Sequence, residues 1–162
     1  MSNDIIAIDI EINADDVVSK LDKLKKALKD KMLMEAIGSD IAAYSRRRIA
    51  SRNNTAPDGS QWESLAASTI RAKQRKGKGD MGTLMQKPKL LDSIAINPAT
   101  LTEDSISIGS SLVYAMIHQK GGMAGKGRKV KIPARPYIGV SAKEKDMIDK
   151  MVQDWIKRIL EG

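Results

Sequence analysis

The chain contains no cysteine and a single histidine, His118. Disulfides and thiolate metal sites are therefore excluded, as is any site built from several imidazoles. Aromatic residues make up 3% of 162 positions, with no Phe, two Trp and three Tyr. Core packing is thus expected to fall on Ile, Leu, Val, Ala and the nine Met, with subunit contacts supplying part of the stability. No apolar run approaches the roughly 18 residues that a membrane-spanning helix requires. The opening Met1-Ser2-Asn3-Asp4 lacks the basic, apolar and small-residue order of a signal peptide. The expectation is a protein made in a cytoplasm, one ordinary domain over residues 1–162, with a sizeable core.

Acidic charge is missing from two windows. Between Arg71 and Lys89 stand Arg71, Lys73, Arg75, Lys76, Lys78, Lys87 and Lys89 against one acid, Asp80. Between His118 and Pro136 stand Lys120, Lys126, Arg128, Lys129, Lys131 and Arg135 against none. These windows hold thirteen of the 28 basic residues and one of the 20 acids, so the remainder carries 15 bases and 19 acids. The whole net charge of +8 resides in two segments.

Along the chain, Ile6, Ile8, Ile10 and Ile12 alternate with Asp9 and Glu11, which predicts a half-buried strand over Ile5–Ile12. Asn13 offers a helix cap, and Val17, Val18, Leu21, Leu24 and Leu28 follow at helical spacing. A second helical pattern runs from about Met32 to Ile49; a break near Asp30-Lys31 and one long bent helix are both compatible with it. Asn53 to Gly59 is a dense turn cluster, and Ser64 to about Gln74 reads as a short helix. Gly77–Pro88 and Lys120–Lys129 read as long loops. Ser93–Ile96 and Ser105–Ile108 alternate across a polar connection and predict an antiparallel pair. Leu112–Gln119 predicts a short helix, and Pro133 and Pro136 hold Val130–Ile138 extended. Ser141 and Glu144 stand in capping-box position for a last helix to Leu160, with Met147, Ile148, Met151, Val152, Trp155 and Ile159 on its apolar face. The sum is an α+β domain: a small, mostly antiparallel sheet packed by several helices, with two long basic loops.

Catalytic patterns are wanting. No serine sits in a Gly-x-Ser-x-Gly elbow, so His118 has no recognisable nucleophile to serve. The glycine-rich stretch Gly121–Gly127 fails as a phosphate loop, because Lys120 and Gly127 occupy the positions that need Gly and Ser or Thr. Paired acids such as Glu103-Asp104 fall at turns, where solvation explains them. No catalytic, cofactor-binding or metal residue is assigned, and no cofactor is implied. Both basic segments suit phosphates by counterion release, but neither interleaves the aromatics that stack single-stranded bases. An acidic partner protein and nonspecific duplex DNA fit them equally.

Three ordered stretches go further. Ala56-Pro57-Asp58-Gly59-Ser60-Gln61-Trp62 is followed by Leu65 and Thr69; then comes Ile108-Gly109-Ser110-Ser111-Leu112-Val113-Tyr114-Ala115-Met116-Ile117-His118-Gln119; then Ile132-Pro133-Ala134-Arg135-Pro136-Tyr137-Ile138-Gly139. Leu91-Asp92-Ser93-Ile94 lies between the first two. Over roughly residues 30–140 this order resembles the phage virion morphogenesis family, the tail-completion proteins of Mu-like and related contractile-tailed phages. One departure is Pro88-Lys89, where relatives commonly carry Thr-Gly.

The resemblance implies a non-enzymatic virion subunit at the neck or tail end, forming a homo-oligomeric ring (a hexamer is favoured) at the head-proximal end of the tail. Its implied partners are tail-tube or sheath proteins and neck or head-completion proteins, with contact to DNA in the channel possible and no membrane or small molecule. Candidate interface residues are Trp62, Tyr114, His118, Gln119, Arg135, Lys126, Arg128, Lys129 and Lys131. The Pro57-Asp58-Gly59 turn would bring Trp62 back against the body, in a core or an interface. Tyr114 and His118, four apart, would share a helix face. Arg135, stiffened between two prolines, suits a bidentate carboxylate pair, within the chain or between subunits.

Overall fold

A computed structural model describes residues 15–85 and 89–161. The expected Ile5–Ile12 strand, the Asn13 cap and Pro88 lie outside the described residues. Helix α1, Asp15–Leu28, places Asp15 and Asp16 in its first turn and Lys25 and Lys26 in its last, both favourable to the helix dipole. The chain then breaks cleanly. Asp30 is extended (φ −133°) and its carboxylate accepts the Met32 N–H at 2.6 Å, capping α2, Lys31–Ala50. Two helices result, not one bent one.

Helix α2 is the centre of the molecule, buried at Leu33, Gly38, Ala42, Tyr44, Ser45 and Ile49. It packs on the antiparallel pair β1, Ile94–Asn97, and β2, Ser107–Ser110, in the register Ile94↔Ser110 and Ile96↔Ile108. Gly38 makes that approach possible: a Cβ there would stand 2.9 Å from Ile106 Cδ1 and 3.0 Å from Ile96 Cγ2. Helices α3, Ala67–Arg75, α4, Lys89–Asp92, and α5, Ala115–Lys120, are short; α3 and α5 begin about a turn later than their sequence patterns suggested. Helix α6, Ala142–Glu161, runs along α1. Its capping box is present in full: the Ser141 N–H donates to Glu144 at 2.7 Å, and the Glu144 N–H to Ser141 Oγ at 3.3 Å. None of its residues is fully buried, although the predicted face, apart from exposed Met147, is half-covered.

Three expectations need correction. The Lys120–Lys129 stretch is not simply a loop: β3, Gly122–Ala124, pairs with β4, Val130–Ile132, as a second, separate antiparallel hairpin. The described residues therefore hold two two-stranded sheets rather than one. The Arg71–Lys89 segment begins inside α3 and carries a buried lysine, Lys73. Finally, the core does not rest on methionine. Its buried cluster is Ala42, Ile49, Ala56, Trp62, Leu84, Leu90, Ile94, Ala115 and Tyr137, so the scarce aromatics are its anchors. No described helix is long and apolar enough to cross a membrane.

Candidate functional site

The three ordered motifs meet in space. The first makes a miniature hairpin: the Gly59 N–H donates to Ala56 O at 3.0 Å, and Gly59 at φ +84° turns the chain so that Ala56 N–H meets Ser60 O at 2.8 Å. Asp58 accepts from both the N–H and the hydroxyl of Ser60, and these bonds hold its carboxyl below the ordinary value. The return strand delivers Trp62, whose indole N–H donates to Pro136 O at 3.0 Å. From the second motif, Gln119 clamps the third: its carbonyl accepts from Tyr137 and Ile138 N–H at 2.9 and 3.0 Å, and its amide donates to Ile138 O at 3.0 Å. Tyr137 is buried and donates its hydroxyl to Ala115 O at 3.1 Å; burial pushes that phenol up to about 12.

Arg135 does not meet a carboxylate. Its guanidinium donates to Glu63 O from Nε (3.2 Å) and Nη2 (2.9 Å), and to Ser64 O at 3.3 Å, with 4% of the residue exposed. The prolines on either side stiffen a strand that ties the turn of the first motif to the body. The planar fork donates from two nitrogens at fixed geometry, Nε and Nη2 meeting one carbonyl together, which a single ammonium does not reproduce.

Sequence reasoning missed two further residues. Arg48 donates from Nη1 to Tyr137 O at 2.8 Å and from Nη2 to both carboxylate oxygens of Glu144 at 2.8 and 2.7 Å. The available signal was its place on the Ile37, Ile41, Tyr44 stripe of α2, where an arginine interrupts an apolar face. Lys73 Nζ donates to Met81 O at 2.9 Å and Gly82 O at 2.8 Å, and burial lowers its pKa. It organises the segment after α3, which composition alone presents as a mere run of cations.

Tyr114 and His118 do share a face, with ring centroids 5.9 Å apart in an edge-on arrangement. Burial, and then the nearby Arg135 charge, lower the His118 pKa, so the imidazole is neutral at physiological pH. Its Nδ1 is buried and has no hydrogen-bond partner among the described residues. Neither a serine nor a carboxylate bonds it there, and the described residues hold no cluster able to bind a metal ion.

These groups line a cleft of about 720 Å³. It is lined by Leu65, Ala66, Thr69, Lys73 and Lys76 from α3 and its approach, by Thr83, Leu84, Lys89 and Leu90, by Tyr114 and His118, and by Val130, Lys131, Ile132, Pro133 and Arg135. Five of the lining residues are Lys or Arg and none is acidic. Beyond the cleft the β3–β4 hairpin carries Lys126, Arg128 and Lys129 at its exposed turn, while Lys131 on β4 is exposed and also lines the cleft. Candidate residues thus divide: Trp62, Gln119 and Arg135 bond within the chain, whereas Lys126, Arg128, Lys129 and Lys131 are exposed and Tyr114 and His118 line the cleft.

Comparison with known proteins agrees with the motif order. The model of the phage virion morphogenesis family matches residues 12–157, beyond the span over which the motifs themselves are spaced. The Mu-like prophage FluMu G protein 2 of Haemophilus influenzae is 29% identical over 155 residues, covering 94% of this chain and 99% of that protein. No solved structure matches. With motifs that interlock in one body and a family match across nearly the whole chain, this protein belongs to the phage virion morphogenesis family.

Proposed function

We propose that the chain is a structural subunit of a tailed-phage virion, forming a homo-oligomeric ring, favoured as a hexamer, at the head-proximal end of the tail. There it completes the tail and prepares it to join a filled head, in contact with tail-tube or sheath proteins on one side and neck proteins on the other. The observation that carries this reading is the family match, joined to a surface built for contact. Val113 is 98% exposed and Met116 60%, and Met123 and Val130 of the following hairpin are each at least half exposed. Uncovered apolar side chains beside a purely cationic hairpin suit a subunit whose surface is completed by neighbours.

Deleting the gene from its phage tests the reading. Filled heads and separate tails, or tails of irregular length, are the expected result; normal infectious particles would overturn it. A second reading, nonspecific nucleic-acid binding, draws on one observation: no acid occurs between Ser105 and Lys143. Duplex DNA binding that falls steeply with salt, and is abolished by neutralising Lys126, Arg128, Lys129 and Lys131, would favour it.

A further inference from the structure

The β3–β4 hairpin departs from the rest of the molecule in how little of it is covered. Gly122 and Met123 on β3 and Val130 and Lys131 on β4 are exposed, and only Ala124 and Ile132 are half-covered. Directly opposed residues of an antiparallel pair share a face. Met123 therefore stands beside Lys131 on one face and Val130 beside Ala124 on the other, and each face shows water an apolar side chain, 50% exposed at Met123 and 53% at Val130. Among the described elements neither strand packs broadly on a helix. A two-stranded ribbon with both faces in water is marginal by itself. Its base, by contrast, is fixed. The Arg135 N–H donates to His118 O at 2.8 Å, and Gly121 lies so close to the Ile132–Ala134 backbone that a Cβ there would stand 2.8 Å from Ala134 N.

The tip closes with the Arg128 N–H donating to Gly125 O at 3.0 Å, and Gly125 and Gly127 stand at φ +76° and +69°. Arg128 itself is at φ +53°, a conformation that arginine rarely adopts. This turn gathers the exposed Lys126, Arg128 and Lys129 at one point, with Lys131 behind them. Among the described residues no carboxylate pairs with any of the four. Like charges held this close repel one another, and an anionic surface relieves the repulsion.

Charge alone would suit phosphates as well as carboxylates. The apolar side chains decide between them. A phosphodiester backbone has nothing to cover Met123 and Val130, whereas a protein interface joins an apolar centre, in which Met is enriched, to a polar rim. The chain's own acids make a poor complement: they stand singly or as the pairs Asp15-Asp16 and Glu103-Asp104, of which Asp16 already binds Lys20 and Asp104 accepts the Thr102 hydroxyl. We propose that the β3–β4 hairpin is a docking arm that inserts into an acidic groove of a different virion protein. The groove covers Met123 on one face and Val130 on the other, and its carboxylates meet Lys126, Arg128, Lys129 and Lys131. The inference rests on the virion reading above and names the element through which the subunit grips its neighbour.

Carbodiimide treatment of purified particles tests the contact, because it joins a lysine amine to a carboxylate that touches it. Mass spectrometry should find Lys126, Lys129 or Lys131 linked to acids of another virion protein, with Lys20–Asp16 and Lys157–Glu161 as internal controls. Links to a second copy of this chain, or no hairpin links where the controls react, overturn the proposal. Complementation of the deletion phage by full-length variants separates protein from DNA. Lys126→Arg, Lys129→Arg and Lys131→Arg together should support infectious particles as the parent does. The four cations changed to Gln, and separately Met123→Ser with Val130→Ser, should each lower the yield at least tenfold without moving the urea midpoint. Full yield from the serine variant, with duplex DNA binding lost in the Gln variant, gives the hairpin to DNA and overturns the proposal. A chain missing from particles and assembling tails removes the virion reading and this arm with it; a chain present there with its hairpin unlinked removes the arm alone.

Discussion

Two parts of this molecule are built from the same residue types and use them in opposite ways. Around Trp62 and Tyr137, charged and polar side chains point inward: Arg48, Lys73, Gln119 and Arg135 each satisfy backbone carbonyls of a neighbouring segment. On the β3–β4 hairpin, Lys126, Arg128, Lys129 and Lys131 are exposed, and no carboxylate lies near them in sequence. In the first region a cation acts mainly as a multiple hydrogen-bond donor to carbonyls, and Arg48 also pairs with the Glu144 carboxylate. In the second, charge is what the surface offers. Net charge therefore overstates the electrostatic surface, since the buried cations of the interlocked body contribute little to it.

The contrast can be broken most sharply at Trp62. Trp62→Ala removes the largest core side chain and leaves Pro136 O without its donor, and should cost about 3–5 kcal/mol. A urea midpoint unchanged from the parent would show that the ring is not an anchor. Gln119→Leu keeps the volume but strands the Tyr137 and Ile138 N–H groups and Ile138 O, for a loss of about 1–3 kcal/mol. Retained stability there would mean that the proline strand holds itself.

Acid sharpens the same comparison. Burial raises the Glu144 pKa, but the Ser141 hydrogen bonds and Arg48 together outweigh it, so the folded value lies below the ordinary 4.5. The unfolded chain then binds the proton first. Stability from this pair is fully present above about pH 4.5 and falls as pH drops through the folded value. In Glu144→Gln that part of the acid dependence should vanish, as read from thermal melts between pH 3 and 6; an unchanged profile would assign it elsewhere.

The smallest stability effect is expected at the hairpin. Replacing Lys126, Arg128, Lys129 and Lys131 together by Gln should move the unfolding free energy by roughly 0.5 kcal/mol or less, since exposed sites contribute little. Head–tail joining by the same protein should nonetheless fall, and should already be salt-sensitive in the parent because exposed charges are screened within about 8 Å at physiological ionic strength. Unfolding of this variant would erase the distinction between the two regions.

Local patterns were legible in the chain wherever the physics is local. The Ser141–Glu144 box, the α1 stripe and the β1–β2 alternation each depend on residues within a few positions, and each appears within a residue or two of its expected place. The second hairpin was not legible, because three-residue strands set among Gly121, Gly122, Gly125 and Gly127 carry too little alternation to stand out from a loop. Motif order identified the family; it could not say that Arg135 would bind carbonyls instead of a carboxylate.

The sequence by itself determined the capping box that starts the last helix, the absence of thiolate and multi-histidine chemistry, the sign of the net charge and the family. Tertiary structure decided which cations are structural and which are free. It also decided that Gly38 is the point where helix and hairpin touch, and that Tyr44, Trp62 and Tyr137 anchor a core that composition assigned largely to aliphatic residues. The reason is the same in each case. An amino acid announces what it can do within a turn or a strand, but whether an arginine meets a carbonyl 72 positions away depends on where the chain has brought both.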